Sequence, residues 1–235
     1  MNDGGPRAER GAKRVRAFLG GHVVVDTTTP VLVWEWPFYP TYHLPVDDVL
    51  ATVRPCGDDR YDVVTPGPVA PGAARRTRHV VDGVECDLVR LDWAAMDAWW
   101  EEDEPVSVHP RDPGVRVDVL PSSRHVVAAV DGAVLVDSRR PSILFETRLP
   151  PRFYVPRPDV RLEKLHASPT VTHCPYKGAA SYWSYEGYED LLWTYPAPLP
   201  ESQRVLGLVG FWTEKVDLWL DGVVQDRPRT HFVDP

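Results

Sequence analysis

Short runs of β-branched and aliphatic residues, broken every few positions by Gly, Pro, Asp or Thr, recur along this 235-residue chain and predict strands. Val23-Val24-Val25 and Val31-Leu32-Val33-Trp34 are two such runs separated by Thr27 to Pro30, and Val134 to Val136 with Ser142 to Phe145 repeat the arrangement. Each pair predicts a hairpin-like start to a domain. Val80-Val81-Asp82-Gly83-Val84-Glu85 predicts a tighter hairpin, because Asp-Gly suits the two positive-φ positions of a type I′ turn. Asp131-Gly132 and Asp221-Gly222 read the same way. Ala180 to Tyr185 and Tyr188 to Tyr195 flank Glu186-Gly187 as an aromatic hairpin, with one face expected in a core and the other against a pocket. The 25 prolines suppress long helices, since each removes a donor and crowds the preceding turn. Two short helices are expected, Trp93 to Trp100 and Glu201 to Leu208.

The pattern is duplicated. Laying Gly21 to Val49 on Gly132 to Val160 at a constant offset of 111 gives ten identities in 29 positions: Gly21, Val23, Val25, Asp26, Pro30, Glu35, Pro40, Pro45, Asp48 and Val49 all recur. His109-Pro110-Arg111-Asp112-Pro113 and His231-Phe232-Val233-Asp234-Pro235 echo each other at the copy ends, where a turn-stabilising hydrogen bond is expected in preference to a metal pair. The chain therefore reads as mainly β, a tandem duplication of a small β domain with short helices. The copies span 13–113 and 124–235, with the junction in His109 to Ser123.

Composition, 43% hydrophobic and 26% charged, fits a globular chain, and no apolar run is long enough to span a bilayer. Met1 to Lys13 is polar and Gly-rich, and is expected to be a disordered lead-in. Cys56, Cys86 and Cys174 are too few and too scattered for a disulfide framework, which predicts a reducing, cytoplasmic setting. A net charge of −8 disfavours nucleic acid as a partner. The run Glu101-Glu102-Asp103-Glu104 reads as a solvated face.

One segment escapes the duplication: Thr172-His173-Cys174-Pro175-Tyr176-Lys177-Gly178, leading into Tyr182-Trp183. Pro175 favours an extended Cys174, and Pro-Tyr suits the centre of a turn, so Cys174 should end one strand and Gly178 lead into the next. Cys174 can serve as a nucleophile supported by Lys177 or a histidine, as a metal ligand, or as a packed small side chain. Cys-x-x-Cys is absent, so no metal site is expected. Lys177 can clamp an anion, act as an amine nucleophile, or simply sit in solvent. Where the second copy has Arg139 and Arg152 the first has Thr28 and Thr41, so positive charge is expected in one domain alone. Arg139, Arg140, Arg152 and Lys177 would then converge on an anion. The duplicated carboxylates Glu35/Glu146, Asp26/Asp137 and Asp48/Asp159 suggest structural work, with Glu146 the best candidate for a general acid or base.

Glycine-rich nucleotide loops, Gly-x-Ser-x-Gly and His-Glu-x-x-His are all missing. Asp137-Ser138-Arg139-Arg140-Pro141, Phe145-Glu146, Leu149-Pro150-Pro151-Arg152-Phe153-Tyr154, Asp159-Val160, and Cys174-Pro175-Tyr176-Lys177-Gly178 with Tyr182-Trp183 resemble the domain of unknown function 427 family. The likeness covers roughly Arg124 to Val224, with a degenerate copy over about Lys13 to Pro113 that lacks the Cys-Lys turn. It implies a compact, mainly β domain similar to the β-tent folds of methionine sulfoxide reductase B, without their zinc cysteines. The family carries a nucleotidyltransferase-like label. Together these readings place a small-molecule pocket in the second copy. Its catalytic candidates are Cys174, Lys177 and Glu146, and its ligand-binding candidates are Arg139, Arg152, Tyr154, Tyr176, Tyr182 and Trp183. A small-molecule or anionic ligand is expected and no cofactor is identified. The alternatives are a non-catalytic ligand-binding or interaction module and a nucleotidyltransferase-like activity.

Overall fold

The computed structural model describes residues 6–233, so the first five residues of the expected lead-in and the Asp234-Pro235 ending lie outside the described residues. The chain divides into two compact units at Asp112/Pro113. In the first, eleven strands run β1 (Ala8–Arg10), β2 (Val15–Leu19), β3 (His22–Thr27), β4 (Val31–Val33), β5 (Thr41–Pro45), β6 (Thr52–Gly57), β7 (Arg60–Val64), β8 (Val69–Val81), β9 (Val84–Leu91), β10 (Ala98–Glu101) and β11 (Glu104–Val106). The second unit has eleven more: β12 (Val117–Pro121), β13 (Val126–Val130), β14 (Ala133–Ser138), β15 (Ser142–Glu146), β16 (Arg152–Pro156), β17 (His166–Cys174), β18 (Gly178–Tyr185), β19 (Tyr188–Thr194), β20 (Leu208–Phe211), β21 (Asp217–Leu220) and β22 (Val223–Gln225).

Each unit builds one seven-stranded and one four-stranded antiparallel sheet. The orders are β1-β4-β5-β9-β8-β7-β6 with β11-β10-β2-β3, and β12-β15-β16-β20-β19-β18-β17 with β14-β13-β21-β22. The second set is the first, strand for strand. The duplicated mainly β architecture inferred from 29 residues therefore extends over the whole of both domains. Strands β1 and β12 carry each sheet N-terminally of the expected bounds. Ala8–Arg10, expected within the disordered lead-in, pairs with β4.

Strand patterning explains the layers. In β2, Val15, Ala17 and Leu19 are buried while Arg16 and Phe18 are half-buried, the period-two signature of a one-sided sheet. In β16, Arg152 to Val155 are all buried because both faces of that sheet are covered. Phe153 and Val155 enter the main core with Val126 and Phe211, whereas Tyr154 joins Leu144, Trp193 and Tyr195 in a second core on the opposite face. The Asp-Gly turns take positive φ at both positions, 53° and 78° at Asp82-Gly83 and 48° and 79° at Asp131-Gly132.

Four expectations are corrected. Val23–Val25 and Val31–Trp34 do not form a hairpin, because β3 and β4 lie in different sheets and Thr27 to Pro30 carries the chain between them; β14 and β15 repeat this. A duplicated bond holds each crossing, Thr27 Oγ1 to Asp48 Oδ2 at 2.6 Å and Ser138 Oγ to Asp159 Oδ2 at 2.7 Å. The expected helix at Trp93 to Trp100 is a single 3-10 turn, Trp93–Ala95, followed by β10, in which Trp99 and Glu101 are buried alternately. The one at Glu201 to Leu208 is 3-10 over Pro200–Val205. Glu101 is not solvated: it lies buried, accepting bonds from Tyr42 Oη at 2.6 Å and Lys13 Nζ at 2.5 Å.

Candidate functional site

Cys174 ends β17 and pairs with Gly178 at the start of β18, while Lys177 N donates to Cys174 O at 3.3 Å across the Pro175-Tyr176 corner. Gly178 has φ 94°, and a Cβ there would stand 3.0 Å from Ala197 O, so both conformation and space call for glycine. The segment after β19 wraps the corner. Leu199 N donates to Lys177 O at 3.2 Å, and the buried Ser202 hydroxyl donates to Tyr176 O at 3.4 Å.

Inside this corner Lys177 Nζ donates to Glu146 Oε2 at 2.5 Å, with the two side chains only 12% and 9% exposed. Tyr154 lies completely inside, its hydroxyl accepting from Trp193 Nε1 at 3.1 Å. Tyr182 shares a 2.7 Å hydrogen bond with Thr172. Burial pushes Tyr154 up to about 12 and Tyr195 well above the ordinary phenol range. Burial alone would lower Lys177, but Cys174, Glu146 and Tyr154 together raise it above the usual lysine value. The arrangement is an ammonium held charged among neutral phenols, with the half-buried Cys174 thiol in its field.

The other expected site residues are dispersed. The Arg152 guanidinium is buried, bonded to Thr213 Oγ1 at 2.9 Å and to both oxygens of Glu214, and lies 5.0 Å from the Trp212 ring centre. Burial would raise Glu214, but its bonds to Arg152 and Thr230 hold its carboxyl below the usual range. Arg140 is paired with Asp159 at 3.0 Å, and Arg139 is exposed. Arg140, Arg152 and Lys177 thus each have a carboxylate of their own. Tyr176 is buried at the corner, and Tyr182 packs beside Trp193. Trp183 points to the opposite face, against the main core, with the Arg157 guanidinium 5.4 Å from its ring centre.

Positive charge is not confined to the second domain. Arg90 faces His43 across β5 and β9, in the register position that Gly210 holds opposite Tyr154 across β16 and β20. Arg90 Nε donates to Glu35 Oε2 at 3.0 Å, so the duplicated glutamate has a cation in both domains, drawn from β9 in the first and from the turn between β17 and β18 in the second. Arg90 lies outside the segment in which the copies align, which hid it. In the second domain a Cβ at Gly210 would lie 2.9 Å from ring atoms of both Tyr154 and Trp193, so the glycine admits the ring pair. A glycine between Val209 and Phe211 was the available sequence signal for that close approach. His43, fully buried between Thr77 Oγ1 at 2.8 Å and Thr41 Oγ1 at 3.1 Å, is pushed down to about 3 by burial, assisted by His79 and Arg90.

Among the described residues no group of three or more His, Cys, Asp or Glu side chains is placed to hold a metal ion. No curated protein matches the chain. The family model described as domain of unknown function (DUF427) matches residues 7–61 and 118–222, one segment in each unit and more than half of the chain. The protein therefore belongs to the DUF427 family and carries the domain twice.

Proposed function

We propose that the second domain binds a small polar molecule at the Cys-Pro-Tyr-Lys-Gly corner and that Cys174 is the group that reacts with it. The observation that carries this reading is the Lys177–Glu146 pair, which keeps an ammonium charged and fixed beside the only cysteine at the corner. A fixed positive charge of this kind assists attack by a neighbouring sulfur nucleophile. Lys177 itself is held as an ammonium, so it serves as a fixed charge and not as an attacking amine. Glu146 positions Lys177, and Tyr182 lies at the edge of the site. Because Lys177 is already paired, a neutral polar substrate fits better than a free anion.

The test is intact-mass analysis of the full chain after exposure to a small-molecule extract, beside the Cys174→Ser variant. An adduct or co-purifying compound lost in that variant supports the reading, while identical spectra count against it. A second reading, a non-catalytic binding module with a rigid corner, is favoured by the Leu199 and Ser202 bonds that wrap the turn. It predicts a bound compound retained by Cys174→Ser. No observation favours the nucleotidyltransferase-like alternative.

A further inference from the structure

The first domain has a cleft of about 320 Å³ whose lining includes Glu35, Trp36, Tyr39, Thr41, Arg90 and Trp93. Aromatic rings dominate it. Trp93 stacks on Trp99 with centroids 4.7 Å apart, Tyr39 stacks on His109 at 4.0 Å, and Trp36 is 55% exposed. The second domain shows what its fold puts at the matching place. Thr41 faces Val33 across β4 and β5 as Arg152 faces Leu144 across β15 and β16, so the two are equivalent. Arg152 extends a guanidinium against Trp212 and into the carboxylate of Glu214. In the first domain the side chain at that position stops at a threonine hydroxyl, 3.3 Å from the Glu35 carboxylate.

Charge points the same way. Residues 1–112 carry 12 Lys and Arg against 19 Asp and Glu, a net of −7, whereas residues 113–235 carry 14 against 15, a net of −1. Arg90 at the cleft does not oppose this, since it is held by Glu35 and by Asp92 at 2.9 Å, and Asp92 also takes Arg60 at 2.8 Å. Aromatic faces attract cations, more so in a negative field.

We propose that this cleft binds the guanidinium group of an external ligand, in the place that Arg152 fills from within the second domain. The site is independent of the Cys174 corner. The donor is either a free guanidino compound or an arginine side chain of a partner, and both present the same planar cation.

The test is calorimetric titration of the full chain with ethylguanidinium and with ethylurea, its neutral planar counterpart. Saturable binding of ethylguanidinium, with ethylurea at least about tenfold weaker, is expected. Thr41→Arg, which supplies the guanidinium from within, should abolish binding. Trp36→Ala, at an exposed position that the fold does not need, should weaken it several-fold. Equal binding of the two probes, no saturable binding of ethylguanidinium, or undiminished binding in both folded variants would overturn the proposal. Agmatine binding more tightly than a blocked Gly-Arg-Gly peptide would assign a free small molecule, and the reverse an arginine side chain; either order supports the guanidinium site.

Discussion

Arg90 and Gly210 occupy one register position in the two domains, and the exchange between them determines how each domain serves its copy of the same glutamate. With arginine there, Glu35 is paired from β9. With glycine there, Tyr154 and Trp193 close over the sheet, and Glu146 takes its cation from the turn after β17. The Lys177 turn is thus one of two solutions to pairing a duplicated position of the fold, and what distinguishes it is the thiol that comes with it.

Gly210→Ala should be costly in the second domain alone. Its added methyl would stand 2.9 Å from two packed aromatic rings, and overpacking of this kind costs about 1–3 kcal/mol. Urea denaturation should show a lower midpoint, with loss of the near-ultraviolet signal of the Tyr154–Trp193 pair. An unchanged midpoint would mean that the rings yield freely.

The Lys177–Glu146 pair should behave as a buried pair. Lys177→Met leaves a carboxylate uncompensated and should cost about 3 kcal/mol. Adding Glu146→Gln should restore part of that loss, so that the double variant is more stable than Lys177→Met by itself. Additive losses in the double-mutant cycle would show that the two groups are not coupled.

The stability of the first domain should fall in acid because of His43. Its folded pKa, down to about 3, lies below the unfolded value, so below about pH 6.5 the unfolded chain takes up a proton that the folded one refuses. The His43 contribution is fully present above that pH and is lost progressively towards pH 3, by about 2 kcal/mol between pH 7 and 5. His43→Gln should flatten this part of the profile. Equal slopes for the two proteins would rule the residue out as the cause.

Much of the fold was legible because it rests on local chemistry. Asp82-Gly83 and Asp131-Gly132 specify their turns, Pro175 specifies its corner, and the repeated Gly and Pro positions expose the duplication. Crossings between sheets were not legible. Val25 and Val31 read as hairpin partners because sequence spacing carries no information about which sheet a strand joins. Of the candidate site, the Lys177–Glu146 pair joins two residues that the sequence singles out, whereas the pairing of Arg152 with Glu214, 62 residues away, left no trace in local spacing. Arg90 and the cleft beside it were missed for the same reason, since strand pairing across the sheet brings them to Glu35.

The most direct test of the account is the alkylation rate of Cys174 at constant pH in a Cys56→Ser, Cys86→Ser background, compared between Lys177, Lys177→Met and Lys177→Arg. Lys177→Met is expected to slow the reaction at least about tenfold while the domain stays folded, and Lys177→Arg to recover much of the rate. Equal rates in folded Lys177 and Lys177→Met proteins would contradict it, because the ammonium would then do nothing for the thiol beside it.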